Sequence, residues 1–262
     1  KSAREQEIAK VRGQRAKLSE AIFKNLGNRP NPAAMVFMSW ADTLETQGDR
    51  SGAVALLSDT VESTNLDLGR AEKSVLSVDI ARRLKSIADN EGAKFWFDKS
   101  RELQPDGNPI GDKAILSVAQ QANDIKEIVA AVENILRLDD SLADSDQADV
   151  YKQILVRSLI DDGNIEKAEI VYQDNFADSN KPQDLLLRAS IQFANSRRAW
   201  ANLERDKANS LIDEAAEIYE RVSVESPGLS EPFLQLALLS ELRYQWTGDS
   251  KYLEPAIEYA RL

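Results

Sequence analysis

The segment Gln47-Gly48-Asp49-Arg50-Ser51-Gly52-Ala53-Val54-Ala55-Leu56-Leu57 constrains the fold more than any other stretch of the chain. It reads as the end of one helix, a tight Gly-Asp turn and the start of a second helix. Variants of it recur down the sequence, which is the mark of a helical repeat protein. Most of the 11 glycines and 8 prolines fall between apolar-periodic segments, and this punctuation favours an all-α fold.

Residues 2–27 read as a charged amphipathic helix on Ile8, Val11, Leu18, Ile22 and Leu26, closed by Gly27-Asn28 with Pro30 and Pro32 beyond. The span 1–29 is expected to be a capping helix or the remnant of a preceding repeat. The clearest unit covers 32–65. Its first helix carries Phe37, Trp40, Ala41 and Leu44, Gly48-Asp49 turns, and its second helix carries Ala53, Leu57 and Thr60. Small Ala41 and Ala53 let the helices approach, and the larger side chains fill the space around that contact.

Further units are expected at 72–105, 111–140, 147–180, 183–227 and 230–262. The second has Ile80, Ala81 and Leu84, then Ala93, Phe97 and Ser100, with an Asp89-Asn90-Glu91-Gly92 turn that departs from Gly-Asp. The third has Ile115, Leu116 and Ala119, then Ile128, Val132 and Ile135; the fourth has Leu155, Val156 and Leu159, Gly163-Asn164, then Ala168 and Tyr172. In the fifth, a long first helix is expected from Gln183 to Leu203, with one or two added turns around 196–207, before Leu211, Ala215, Tyr219 and Val222. The sixth has Phe233, Leu236 and Ala237, Gly248-Asp249, and a truncated second helix with Ala256 and Tyr259. Counting from Ala53, Ala93, Ile128, Ala168, Ala215 and Ala256 gives spacings of 40, 35, 40, 47 and 41 residues.

Phe37, Trp40, Ala41, Leu44, Ala53, Leu57 and Thr60 stand at the spacings of the tetratricopeptide repeat, with Asn65 where that family has proline. The second unit adds Ala93 through Phe97 and the closing Pro105. Over roughly 32–262 the chain resembles that family, with divergent units longer than the family period of about 34. A different helical-pair solenoid stays open. The resemblance implies one right-handed α-solenoid of about six antiparallel helix pairs, with a concave groove lined by the first helix of each pair. It also implies contact residues: Met35, Met38, Asp42 and Glu45; Val78, Asp79, Arg82 and Lys85; Gln153 and Arg157; Arg188, Gln192 and Asn195; and Leu234 and Leu238. Arg82, Arg157 and Arg188 would form a basic track suited to an acidic peptide, unless they pair with acids such as Asp79, Asp161 and Asp184. The family variant that clamps a C-terminal carboxylate uses Lys and Asn where the first unit has Met38 and Asp42, so that activity is not carried over. Trp40, Trp96 and Trp246 are read as packing residues, and Trp200, beside Arg197 and Arg198, as packing or an exposed contact.

A net charge of −11 gives no general pull toward nucleic acid or anionic lipid. Cysteine and histidine are both absent, which removes thiolate chemistry, the commonest general base and the commonest transition-metal ligands. There is no Gly-rich phosphate loop or nucleophile turn. The cluster Asp139, Asp140, Asp144 and Asp146 lacks the glycine and terminal glutamate of a calcium loop and reads as a solvated connector. No cofactor, metal or catalytic residue is therefore expected, nor membrane insertion, since no apolar run nears the roughly 20 residues needed. The chain starts at Lys1 and stops inside a helical pattern, so it reads as a segment of a longer protein with no visible targeting signal. The function expected is a non-enzymatic scaffold for a protein or peptide partner. The alternative is a structural or accessory solenoid within a larger enzyme or a secretion or envelope assembly.

Overall fold

The computed structural model describes residues 32–261 apart from 65, 67, 143 and 144. The expected helix over 2–27, the stop at Asn65, and Asp144 of the acidic connector lie outside the described residues. Among the described residues the structure is all-helical, with twelve α-helices and no strands. The helices are α1 (Pro32–Thr46), α2 (Arg50–Glu62), α3 (Arg70–Lys85), α4 (Asn90–Leu103), α5 (Ile110–Gln121), α6 (Ile125–Leu138), α7 (Asp146–Asp161), α8 (Ile165–Phe176), α9 (Pro182–Ala201), α10 (Arg205–Glu225), α11 (Glu231–Thr247) and α12 (Leu253–Tyr259). Single 3-10 turns precede α7 (Asp140–Leu142) and α12 (Ser250–Tyr252).

The chain divides into two compact units. One holds the described residues up to Asp124 together with Arg137–Asp140, and the other holds Ile125–Leu136 and everything from Ser141 on. The division falls inside the third expected pair. In the first unit α1 packs on α2 and α3, α2 on α3, α3 on α4 and α5, and α4 on α5. In the second, α7 packs on α8 and α9, α8 on α9, α9 on α10, α10 on α11, and α11 on α12. Within each unit these helices thus pack on helices one or two places away in sequence, which is how helix pairs lacking a private core bury their apolar faces.

One turn makes the first five of these pairs. At Gly48, Ala88, Asn123, Gly163, Leu203 and Gly248 the backbone is left-handed, with φ of 81°, 61°, 51°, 79°, 66° and 70°. In the first five the same two hydrogen bonds close the helix. Gly48 N–H donates to Glu45 O at 2.9 Å and Asp49 N–H to Leu44 O at 2.8 Å; Ala88, Asn123, Gly163 and Leu203 repeat both bonds one residue for one residue. This is a Schellman closure, which satisfies carbonyls the helix end would leave bare. The next residue opens the second helix. Asp49 and Asp89 each accept the N–H three residues on, from Gly52 and Gly92, at 2.9 Å. The sixth turn keeps only Gly248 N–H to Tyr244 O at 2.8 Å, and Asp249 leads into a 3-10 turn instead.

This turn corrects two expectations. Asp89-Asn90-Glu91-Gly92 is no departure: Ala88 takes the glycine place and Asp89 the cap. The fifth pair is long as expected, with 20 residues in α9 and 21 in α10, but Leu203 makes the usual turn, so the added length lies at the start of α9 and the end of α10 and not around 196–207. The residue opening its second helical face is therefore Ala208, fully buried, one heptad before Ala215. Counted from Ala53, Ala93, Ile128, Ala168 and Ala208 the steps are 40, 35, 40 and 40 residues. Four residues further on stand Leu57, Phe97, Val132, Tyr172 and Ile212, each 2% exposed or less. Removing such a side chain from water contributes about 2 kcal/mol. The buried stripe of α10 is Ala208, Ile212, Ala215, Tyr219 and Val222, so Ile212 replaces the expected Leu211.

The first unit has a tight polar junction where α3, α4 and α5 meet. Ser74 Oγ lies 2.9 Å from Ser100 Oγ and donates to Ser100 O, and Gln104 Nε2 donates to Asp112 Oδ2 at 2.9 Å. Gly111 is required there, since a Cβ would stand 2.5 Å from Ser74 Oγ and 2.6 Å from Ser100 Oγ. In the second unit Leu185, Leu186, Ala189, Ile212, Ala215, Tyr219, Val222, Leu236 and Leu239 form one apolar core.

Left-handed backbone costs a residue with a Cβ roughly 1–2 kcal/mol, and Leu203 is 73% exposed, so its side chain gives little back. Leu203→Gly is expected to raise the unfolding free energy by about 1 kcal/mol, and Gly163→Ala to lower it by about as much. Urea denaturation followed by circular dichroism measures both; a neutral or destabilising Leu203→Gly would show that the leucine side chain offsets the strain.

Candidate functional site

The first helices of successive pairs share one register, counted from the turn, that is charged in four of the six. Six residues before each left-handed residue stand Asp42, Arg82, Ser117, Arg157, Arg197 and Leu242. Of the basic track expected from Arg82, Arg157 and Arg188, the first two stand at this register and Arg188 does not. Counted from the turn at Leu203, the equivalent residue of the fifth pair is Arg197. The two units use the register differently.

In the first unit the charges close on themselves. Arg82 donates to Asp79 Oδ1 at 2.7 and 2.9 Å and lies 3.7 Å from Asp42. Beside it, Arg83 has a side chain only 2% exposed and binds Asp42, Glu45 and Asp79 together, with Asp79 Oδ2 at 2.9 Å and Asp42 Oδ1 at 2.5 Å. Burial acts to lower the Arg83 pKa, but hydrogen bonding and attraction from Asp42 and Asp79 outweigh it and hold it above its usual value. Arg83 therefore ties α1 to α3 as a buried cation, a role the sequence did not reveal because Arg82 and Arg83 are adjacent and only packing tells them apart. Lys85 is paired with Asp124 of the same unit.

Two implied contact residues of α3 are corrected: Val78 and Asp79 are 3% and 5% exposed. The cause is that α3 packs on α1, α2, α4 and α5 and has little free surface. Met38 and the expected packing residue Trp40 are half-buried, while Met35 is exposed. Trp96 is buried, edge-on to exposed Phe95.

In the second unit α7, α9 and α11, the first helices of three successive pairs, border a depression of about 360 Å³. From α7 come Arg157, Ile160 and Asp161, from α9 Ser190, Phe193, Ala194 and Arg197, and from α11 Glu231 and Gln235. A smaller depression of about 220 Å³ adjoins it and shares Phe193 and Arg197, with Leu238 and Leu242 of α11. Leu234 and Leu238 are 58% and 40% exposed on the same helix.

Arg157 donates to both oxygens of Glu231, at 3.0 and 3.4 Å. Its side chain is 55% exposed and that of Glu231 36%, so the pair contributes about 0–1 kcal/mol. Arg197 is exposed and makes no hydrogen bond or ion pair with a described residue. Desolvation in the depression pushes the Asp161 carboxyl up, against the pull of Arg157. The floor is braced from below. Ser190 donates to Leu186 O at 2.8 Å and meets the buried Tyr219 hydroxyl at 3.1 Å. Burial pushes that phenol up to about 12, Ser190 opposing.

The other implied residues lie elsewhere. Gln153 donates to buried Asp184 at 2.7 Å, a carboxylate also bound by Ser179 Oγ at 2.6 Å, and so locks α7 to the start of α9. Gln192 and Asn195 face a separate polar depression of about 650 Å³ bordered by α8, α9 and α10. Gln192 also donates to Glu214 at 3.1 Å, and Arg188 is exposed. Trp200 stacks on Trp246 at 4.3 Å and lies under the Arg205 guanidinium at 3.6 Å. Two planar groups so close cannot share one face, so its indole is sandwiched and serves packing. Asp139 of the acidic connector pairs with Lys113 at 2.6 Å. Among the described residues no cluster of three metal-ligating side chains occurs, and no helix is long and apolar enough to cross a membrane.

Arg83→Met leaves Asp79 and Glu45 without their buried partner and is expected to destabilise the first unit by about 3 kcal/mol; Arg82→Met, more exposed, costs under about 1 kcal/mol. Thermal or urea unfolding of each variant compares them, and equal losses would mean that Arg83 is not the tie. Tyr219 gives a pH test. A phenol raised in the folded state keeps its proton after the unfolded chain, near 10, has lost it. Its contribution is intact below pH ~10 and disappears as pH rises toward the folded value of about 12. The unfolding free energy should fall by up to about 3 kcal/mol across that window, and Tyr219→Phe should remove this part of the decline.

The chain matches no protein-family model and no curated protein.

Proposed function

We propose that this protein is a non-enzymatic interaction scaffold. Within each unit the helix pairs stack as in a right-handed α-solenoid resembling tetratricopeptide repeats, and a peptide or protein segment is taken on the face made by the first helices. The observation that carries this reading is the pair of adjoining depressions on α7, α9 and α11, where apolar Phe193 and Leu238 lie beside the Arg197 guanidinium. A face that is partly apolar, partly charged and shared by three successive helices offers a segment both buried area and directional bonds.

A second reading is favoured for the first unit. There Arg82 and Arg83 pair with Asp42, and Lys85 pairs with Asp124, so these cations of α3 are already engaged. That unit acts as a structural or accessory solenoid within a larger assembly.

Photo-crosslinking amino acids placed at Gln235 or Leu238, on the proposed face, and at Glu217, exposed on α10, test the reading in cells. Crosslinked partner is expected from the first two positions, and Leu238→Arg should abolish what is captured at Gln235. Equal capture from Glu217 would place the contact on another surface and remove the proposal.

A further inference from the structure

We infer that the depression between Arg157 and Arg197 is a receptor for a single side-chain carboxylate of an acidic–apolar peptide segment, with Arg197 as the principal anchor. This rests on the scaffold reading above and specifies its ligand.

The argument starts from the 40-residue step. Arg157 and Arg197 stand at the same register of neighbouring first helices, so they point to one strip of surface and line one depression. Their surroundings differ. Arg157 is engaged by Glu231, whereas Arg197 has five donors and no acceptor among the described residues. Such a guanidinium offers a fork that matches a carboxylate with two parallel bonds. Elsewhere arginines of the same protein show what they take when an acid is near: Arg83 and Arg82 both close on Asp79.

The charge count selects the class of guest. In the larger depression Arg157 and Arg197 are offset by Asp161 and Glu231, and Glu241 of α11 adds one more acid to the adjoining depression, so the face has room for no more than a single negative charge. One added carboxylate is met by Arg197 with no existing pair broken. A dianionic phosphate would need the second cation as well, would have to displace Glu231 from Arg157, and would still face Asp161. The rest of the lining then decides what flanks the acid. Phe193 is shared by both depressions and Leu238 is exposed beside it, so an apolar side chain next to the carboxylate covers them. Nucleic acid is disfavoured by a net charge of −11.

The test uses the whole chain and a library of random peptides displayed on phage. Selected peptides are then made synthetically in three forms: as found, with each Asp or Glu replaced by its amide, and with that residue replaced by phosphoserine. Binding is read by fluorescence polarisation. The expected result is that selected sequences carry Asp or Glu beside Leu, Phe or Trp. Amide replacement or Arg197→Gln should each weaken binding about tenfold or more, and the two losses should not add, since both remove one bond. Affinity should fall as salt is raised. Circular dichroism confirms that Arg197→Gln, at an exposed position, leaves the fold intact. Peptides that lose binding with Leu238→Arg but are indifferent to amide replacement and to Arg197→Gln overturn the carboxylate inference and leave the scaffold reading standing. Selected peptides that bind Leu238→Arg and Arg197→Gln as well as the parent, or a selection that yields none, overturn both. Tighter binding of the phosphoserine form overturns the assignment to a carboxylate.

Discussion

The hydrogen-bond closure at the end of each first helix governs everything else in this protein. A helix leaves its last carbonyls without partners, and a left-handed residue lets two N–H groups turn back and satisfy them. Here the same pair of bonds recurs at Gly48, Ala88, Asn123, Gly163 and Leu203. Because the residue after each also opens the next helix, the turn fixes both the exit of one helix and the entry of its partner. That sets which residues meet: Leu44 and Ala53, Leu84 and Ala93, Leu159 and Ala168 flank the turn at constant offsets and are buried in each pair. The pairing geometry is thus a backbone property, and the apolar side chains complete it.

The turn also explains why charge on the first helices falls into strips. Residues equally far from equivalent turns sit at equivalent places on neighbouring helices. Whether a strip serves stability or recognition then depends on desolvation. Arg83, almost wholly buried, has to be matched by acids, because an unpaired cation there would cost several kcal/mol. Arg197, in water, needs no partner to be tolerated, so its guanidinium is left available. The same residue type is structural in one place and proposed as a ligand anchor in the other, and accessibility makes the difference.

Much of the fold was legible. The period-3.6 apolar pattern together with Gly-Asp and Gly-Asn punctuation gave an all-helical chain, and the small-then-large order of Ala41, Ala53 and Leu57 gave paired helices. Two turns were misread, for one physical reason: Ala88 and Leu203 adopt backbone that glycine signals and other residues do not. A usable signal was present in the acidic or amide residue after each turn, Asp49, Asp89, Asp124, Asn164 and Glu204, which keeps the step of 40, 35, 40 and 40 where the glycines lapse. The candidate site was legible only in part. Arg157 lies at the depression with Leu238 beside it, but Gln153, Gln192 and Lys85 are engaged in other contacts. Arg188 lies nine residues before Arg197 and off the register, which is counted from the turn at Leu203.

The sequence by itself determined the helix class, the pairing of small residues near each turn, and a charge balance that disfavours polyanionic partners. These depend on local propensity and composition, which act over a few residues or over the whole chain at once. Tertiary structure alone decided that Arg83 and not Arg82 is the buried tie, that Gly111 must lack a Cβ where α3, α4 and α5 converge, and that Trp200 is sandwiched. It also brought Arg157, Phe193 and Arg197 to one depression. Each of these depends on which atoms from distant segments come within a few ångströms, and burial, which sets the energy of a charge, is a property of that arrangement and of no residue taken singly.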